Sequence, residues 1–173
     1  MIITKSVPFL AIGMCFLTGI AWAQPQAPAK TANNTYTAPA TAEPVIYSSK
    51  DAITEGFEHG NLMLHDSHGS YMVETAKRDK PGGAEVHLMD TDVTYIIKGS
   101  ATITTGGTVV DVNPNSPSRP GNPHPEYEIR GAKIVGGQTF RLSAGDSIVI
   151  PKGVPHQFSE VQGPFWYFNV KVR

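Results

Sequence analysis

"GDSIVIPKGVPHQF", residues 145 to 158, decides the fold. Gly145 and Asp146 suit a turn, "SIVI" is a β-branched strand, and "PKGVP" is a second turn. His156 then opens a fresh strand. A chain that turns, extends four residues and turns again belongs to a compact β structure. A lone histidine at the start of a strand is worth tracing back for partners.

Partners lie upstream in "PGGAEVHLMDTDVTYIIKG", residues 81 to 99. A Pro-Gly-Gly turn leads into "AEVHLM". Side chains on a strand alternate between faces, so Glu85 and His87 point one way and Ala84, Val86 and Leu88 the other. "LMDT" allows a turn, and Asp92 begins the next strand. A water-facing strand has no need of Glu, His and Asp so close together. If the Glu85 face lines the inside of a barrel, two hairpins bring Glu85, His87, Asp92 and His156 to one place. Such a set of N and O ligands suits a divalent ion of the Mn, Fe, Ni or Zn kind, and the ligands alone do not choose among these.

The rest of the chain agrees with a β protein. It has 173 residues, 17 glycines and 14 prolines, which favours one domain rich in turns. "GSYMVETAKR", "AEVHLM", "DVTYIIKG", "SATITT", "TVVDV", "YEIRG", "QTFRLSAG", "DSIVIP", "HQFSEV" and "PFWYFNVKV" read as short strands parted by Gly, Pro, Asn or Asp. Helical periodicity is confined to "SSKDAITEGFEHG", where Ser48 or Ser49 caps, Ile53 and Phe57 share a face and Gly60 ends the helix. The segment 113–126, with five prolines, cannot be a central strand and reads as a surface excursion. In "PFWYFNVKV" alternation separates Phe165, Tyr167, Asn169 and Lys171 from Trp166, Phe168, Val170 and Val172. The second set, being wholly apolar, is expected to face the core or line a pocket.

The formal net charge of −1, with no basic block, leaves nucleic-acid binding without an electrostatic footprint. Residues 1–23 combine Lys5, a short apolar run and "AWA", the pattern of a secretory signal peptide. The apolar run is shorter than the roughly 20 residues of a membrane span. Residues 24–44 are rich in Ala, Pro, Thr and Asn and read as a disordered tether, leaving 45–173 as the single folded domain. The expected location is periplasmic or secreted, with no membrane attachment after cleavage. Cys15, the only cysteine, would leave with the signal, so stability would rest on the core and not on disulfides. "NNT" at 33–35 matches a glycosylation acceptor, a pattern common by chance. His59 sits at the helix end, where its charge would suit the dipole. His65, His68 and His124 read as solvated turn or loop residues.

The spacing resembles the cupins. Their second motif, G-x5-P-x-G-x2-H-x3-N, is matched by Gly145, Pro151, Gly153 and His156, with Glu160 where the family has Asn. Their first motif, G-x5-H-x-H-x3,4-E-x6-G, is matched in spacing by Glu85, His87, Asp92 and Gly99. Glu85 stands at a usual His position, Asp92 at the usual Glu, and the opening glycine is off register. The resemblance covers about residues 70–172. It implies an all-β, cupin-type jelly-roll barrel, here with a short N-terminal helix, and a metal set altered from three His and one Glu to Glu85, His87, Asp92 and His156. Asp92, one methylene shorter than Glu, would reach the ion directly or through water. The family spans dioxygenases, isomerases, decarboxylases, storage proteins and sensors, so chemistry does not follow from fold. An enzyme acting on a small oxygenated substrate stays open, and so does a metal-free module binding a small polar ligand such as a sugar or organic acid. A structural role, with homodimers through sheet faces, is the third implication.

Overall fold

The computed structural model describes residues 38–59, 62–116 and 125–173. The expected signal peptide, most of the tether, "NNT", Gly60 and His124 lie outside them. The chain divides into two units, Met1–Ala40 and Thr41–Arg173. Of the first only residues 38–40 are described, and they are exposed. Among the described residues no helix is long and apolar enough to cross a membrane.

The second unit begins with helix α1, Lys50–Glu58. Ser49 caps it, its hydroxyl accepting from the Ala52 amide at 3.2 Å, which satisfies one of the donors a helix start leaves free. Strands β1 (Met63–His65), β2 (Tyr71–Arg78), β3 (Ala84–His87), β4 (Thr91–Thr105) and β5 (Thr108–Val110) follow. After a one-turn 3-10 helix at Pro125–Tyr127 come β6 (Glu128–Gly131), β7 (Lys133–Val135), β8 (Gln138–Ser143), β9 (Ser147–Ile150) and β10 (His156–Val172). Eight strands form one curled antiparallel sheet, and β5 pairs with β7 apart from it. This is the mostly-β jelly-roll architecture that the sequence predicts.

Two strands are longer than expected. "DVTYIIKG" and "SATITT" run together as β4, and "HQFSEV" and "PFWYFNVKV" as β10. The ladder survives because Gly99 takes φ 78°, where a Cβ would lie 2.6 Å from the Pro164 carbonyl oxygen. Only glycine fits there, and the chain bends without breaking its pairing. The two long strands form the spine. β10 pairs with β4 along one edge and with β2 and β3 along the other. β4 carries β8 and β9 on its free edge. Two short strands, β1 and β7, escape the sequence pattern. His65 accordingly lies on a strand, exposed, and not in a turn.

The faces of β10 are the reverse of expectation. Phe165 is fully buried, and Tyr167, Asn169 and Lys171 are each less than a tenth exposed. Trp166, Phe168 and Val170 lie half-buried on the outer face, and Val172 is exposed. The outer aromatics are covered by α1: Phe57 stacks on Trp166 at 5.1 Å and meets Phe168 edge-on at 5.2 Å. Apolar content therefore did not identify the inner face, because the helix supplies a second layer for the outer one. Inside, Phe158, Phe165 and Tyr167 pack at ring separations of 5.2 to 5.4 Å with Ile96, Ile103, Leu142 and Ile150. That fills one end of the barrel. The inward face continues along β10 as Asn169 and Lys171, and the other end is polar.

Candidate functional site

The polar end is a cavity partly open to solvent. Its chemistry follows from strand register. His156 stands directly opposite Glu85 across β10 and β3. His87 stands opposite Glu128, and Glu85 opposite Arg130, across β3 and β6. Asp92 stands opposite Lys171, and Thr94 opposite Asn169, across β4 and β10. Directly opposed side chains on one face of a sheet lie close together, and four of these five pairs, all but His156 with Glu85, are polar contacts inside the barrel. The second turn ties the two motifs together, for the Gly153 amide donates to the His87 carbonyl at 2.8 Å. Gly153 has φ 79°, a conformation that glycine adopts without steric cost.

Glu85, His87 and His156 each offer a ligand atom within 4.8 Å of the others. The His156 Nδ1 lies 3.2 Å from the Val154 carbonyl, and the His87 Nδ1 lies 3.4 Å from Glu128 Oε1. A carbonyl can only accept, so the His156 proton lies on Nδ1 and its Nε2 keeps the free lone pair. Nε2 of both rings points inward: that of His87 lies 3.8 Å from Glu85 Oε2 and 3.5 Å from Asp92 Oδ2, and that of His156 3.9 Å from Asp92 Oδ2. Burial, joined by the neighbouring His87, pushes the His156 imidazole below its ordinary value, outweighing the pull of Asp92, Glu85 and the Val154 carbonyl. A neutral imidazole is the form that binds a metal. Burial also opposes ionisation of Glu85, but Arg130, Arg78, His156 and His87 outweigh it and hold the carboxyl below the usual range. Two imidazole nitrogens and one carboxylate fit a divalent ion with coordination positions left open.

Asp92 lies beside this group but is engaged elsewhere. Its two oxygens accept from Lys171 Nζ at 2.8 and 3.0 Å, and Oδ2 also accepts from Asn169 Nδ2 at 3.2 Å. Asn169 in turn donates to Glu74 at 3.2 Å and accepts from Thr94 at 2.8 Å. Both members of the Asp92–Lys171 pair are under a tenth exposed. A carboxylate so saturated approaches an ion at the histidines only by giving up part of this network.

The sequence analysis missed Glu128, Arg130, Arg78, Asn169 and Lys171 as cavity residues. A signal was present: "YEIRG" sets Glu128 and Arg130 on one face by alternation, and "FNVKV" does the same for Asn169 and Lys171. Register shows the residue opposite each: His87 for Glu128, Glu85 for Arg130, Thr94 for Asn169 and Asp92 for Lys171. Among the described residues, His59, His65 and His68 are not part of the cavity lining. His68 is exposed and lies 3.2 Å from Glu43, and His59 is an exposed helix C-cap.

No curated protein matches the sequence significantly. Among solved structures, the chain is similar to KdgF from Halomonas sp., with 16% identity, TM-score 0.41, and 66% of this chain and 82% of that one covered. It is similar to L-ribose isomerase from Cellulomonas parahominis, with 18% identity, TM-score 0.43, and coverages of 70% and 68%. It is similar also to hydroquinone 1,2-dioxygenase from Sphingomonas sp. TTNP3, with 14% identity, TM-score 0.41, and 60% of each chain covered, less than two thirds of the dioxygenase. At these identities the likenesses say nothing of activity. The model of the cupin domain family matches residues 130–165, which hold the second motif with its Pro151, Gly153 and His156. In motif and in fold, the chain is cupin-like.

Proposed function

We propose that the barrel holds a divalent metal on Glu85, His87 and His156 and acts on a small oxygenated molecule bound in the same cavity, in an exported protein. The observation that supports this best is the inward aim of two histidine Nε2 atoms, each ring held from behind through Nδ1, beside a carboxylate kept ionised by two arginines. A metal there would act as a Lewis acid and orient an oxygen ligand. The chain's own contribution is to hold the ligands, keep His156 neutral and supply an apolar wall of Phe158, Ile150 and Tyr167. The reaction stays at the level of small-molecule chemistry on an oxygen-bearing substrate.

The test is elemental analysis of purified protein with thermal melts in added Mn, Fe, Ni and Zn. Wild type should carry metal and melt higher with one of these ions, by mass action on the folded state. His87→Ala and His156→Ala should each lose the metal and the response. Asp92→Ala should keep metal, because its carboxylate is spent on Lys171. A wild type that is metal-free and indifferent to all four ions would refute the proposal.

A metal-free binding module is the second reading, favoured by one observation: Glu85 and Asp92 already have cationic partners, at 2.9 and 2.8 Å. Export rests on residues 1–23, and N-terminal sequencing of the mature form that returned Met1 would overturn it.

A further inference from the structure

Four acidic side chains and three basic ones, Arg78, Arg130 and Lys171, line the cavity. The cations are unequally engaged. Lys171 is held by both oxygens of Asp92. Arg130 gives Nε and Nη2 to Glu128 at 3.1 and 2.9 Å, and Nη1 to Glu85 at 2.9 Å. Arg78 differs. Its Nε donates to the Tyr167 hydroxyl at 2.9 Å, and its guanidinium lies over the Phe158 ring at 4.9 Å. The nearest carboxylate oxygen, Glu85 Oε1, is 3.8 Å from Nη2 and is already taken by Arg130. Among the described residues, the Nη groups of Arg78 donate no hydrogen bond.

The guanidinium is nonetheless held in place. Tyr167 fixes its Nε end and Phe158 its plane, both from the packed end of the barrel. Gly82 makes room for the tip, since a Cβ at that position would lie 2.6 Å from Nη1. The Pro-Gly-Gly turn therefore has a local purpose that its turn geometry alone does not require. A pre-positioned guanidinium fork with free Nη donors, partly desolvated and backed by aromatic rings, is the arrangement that binds a planar carboxylate.

We propose that Arg78 is the anchor for a carboxylate carried by the molecule that enters this cavity, which makes the substrate class small organic acids. This rests on the proposed function in taking the cavity as the site of chemistry. An acid seated on the Nη atoms lies next to Glu85, and so beside the metal group, which would direct the rest of the molecule towards His87 and His156. The apolar side chains of Phe158 and Ile150 would take its hydrocarbon part.

The probes are pyruvate and benzoate, each paired with its neutral amide, titrated into full-length mature protein and followed by protein-observed NMR. At least one acid should bind about tenfold or more tightly than its amide, a ratio expected when a charge-assisted pair is lost. Arg78→Gln should abolish that preference. Gly82→Ala, which displaces the guanidinium tip without removing its charge, should weaken acid binding while the melting temperature stays near wild type. Each titration is run on metal-loaded and chelator-treated protein. An acid preference that persists without metal and vanishes in Arg78→Gln upholds the anchor even if the metal centre fails. Failure of both acids to bind, or a preference unchanged in Arg78→Gln, overturns the anchor whatever the metal content.

Discussion

Replacing Lys171 by Met is the sharpest probe of how this cavity is held together. The substitution keeps the volume and the stem of the side chain but removes the charge facing Asp92. Asp92 then keeps one hydrogen bond, from Asn169 Nδ2 at 3.2 Å, in a site where its side chain is 6% exposed. Stripping one partner from a buried ion pair costs about 3–5 kcal/mol, because the other charge stays desolvated. The surviving Asn169 bond places the expected loss at the lower end, about 3 kcal/mol. For a folded unit of this size that lowers the melting temperature by about 10 °C. The assay is urea unfolding at pH 7.5 of chelator-treated protein, run as a double-mutant cycle with Asp92→Asn. The double variant should lose less stability than the sum of the two single losses, by a coupling of at least about 2 kcal/mol. Added metal should recover part of the loss in Lys171→Met. Asp92 Oδ2 lies 3.5 and 3.9 Å from the two histidine Nε2 atoms, and without Lys171 it is free to face the ion. A loss under about 0.5 kcal/mol, the scale of an exposed pair, would refute the buried-pair account.

Acid should destabilise the fold in two stages. His156 is held below its ordinary value of 6.5 by burial and His87, so below that pH the unfolded chain takes up a proton that the folded one refuses, and stability falls. Glu85 is held below its ordinary 4.5, so its contribution is present above 4.5 and lost as pH falls further through its folded value. Urea midpoints should be level from pH 8 to about 7 and fall from there to pH 4, and a rise between pH 7 and 5.5 would contradict the assignment of His156 as buried and neutral. Gly99→Ala should cost about 1–3 kcal/mol, since φ 78° is unfavourable for alanine and the new methyl meets the Pro164 carbonyl. Gly153→Ala, with a similar φ but open space around it, should cost about 1 kcal/mol. Equal losses in the two melts would show that the crease in β4 is not sterically enforced.

The β class, the helix at 50–58, the two turns that frame His156 and the trio of Glu85, His87 and His156 were legible in the residues. The first three depend on alternation and turn chemistry, which act within a few positions; the meeting of His156 with Glu85 and His87, about 70 positions upstream, followed from the spacing of two motifs that resemble the cupins. Asp92 was legible as a neighbour of the histidines but not as the partner of Lys171. The two stand 79 positions apart, and only the pairing of β4 with β10 sets them opposite each other. The same holds for Glu128 behind His87 and Arg130 beside Glu85. The inner face of β10 was misjudged because hydrophobicity distinguishes buried from exposed only when one face is covered. Here α1 covers Trp166 and Phe168 from outside, while Asn169 and Lys171 go inward to meet Asp92 and Glu74. Sequence therefore determined the β class and three of the side chains gathered in the cavity, Glu85, His87 and His156, but not the residues that surround them. Tertiary structure decided which of those charges neutralise one another, because cross-strand register is set by long-range pairing that no local pattern encodes.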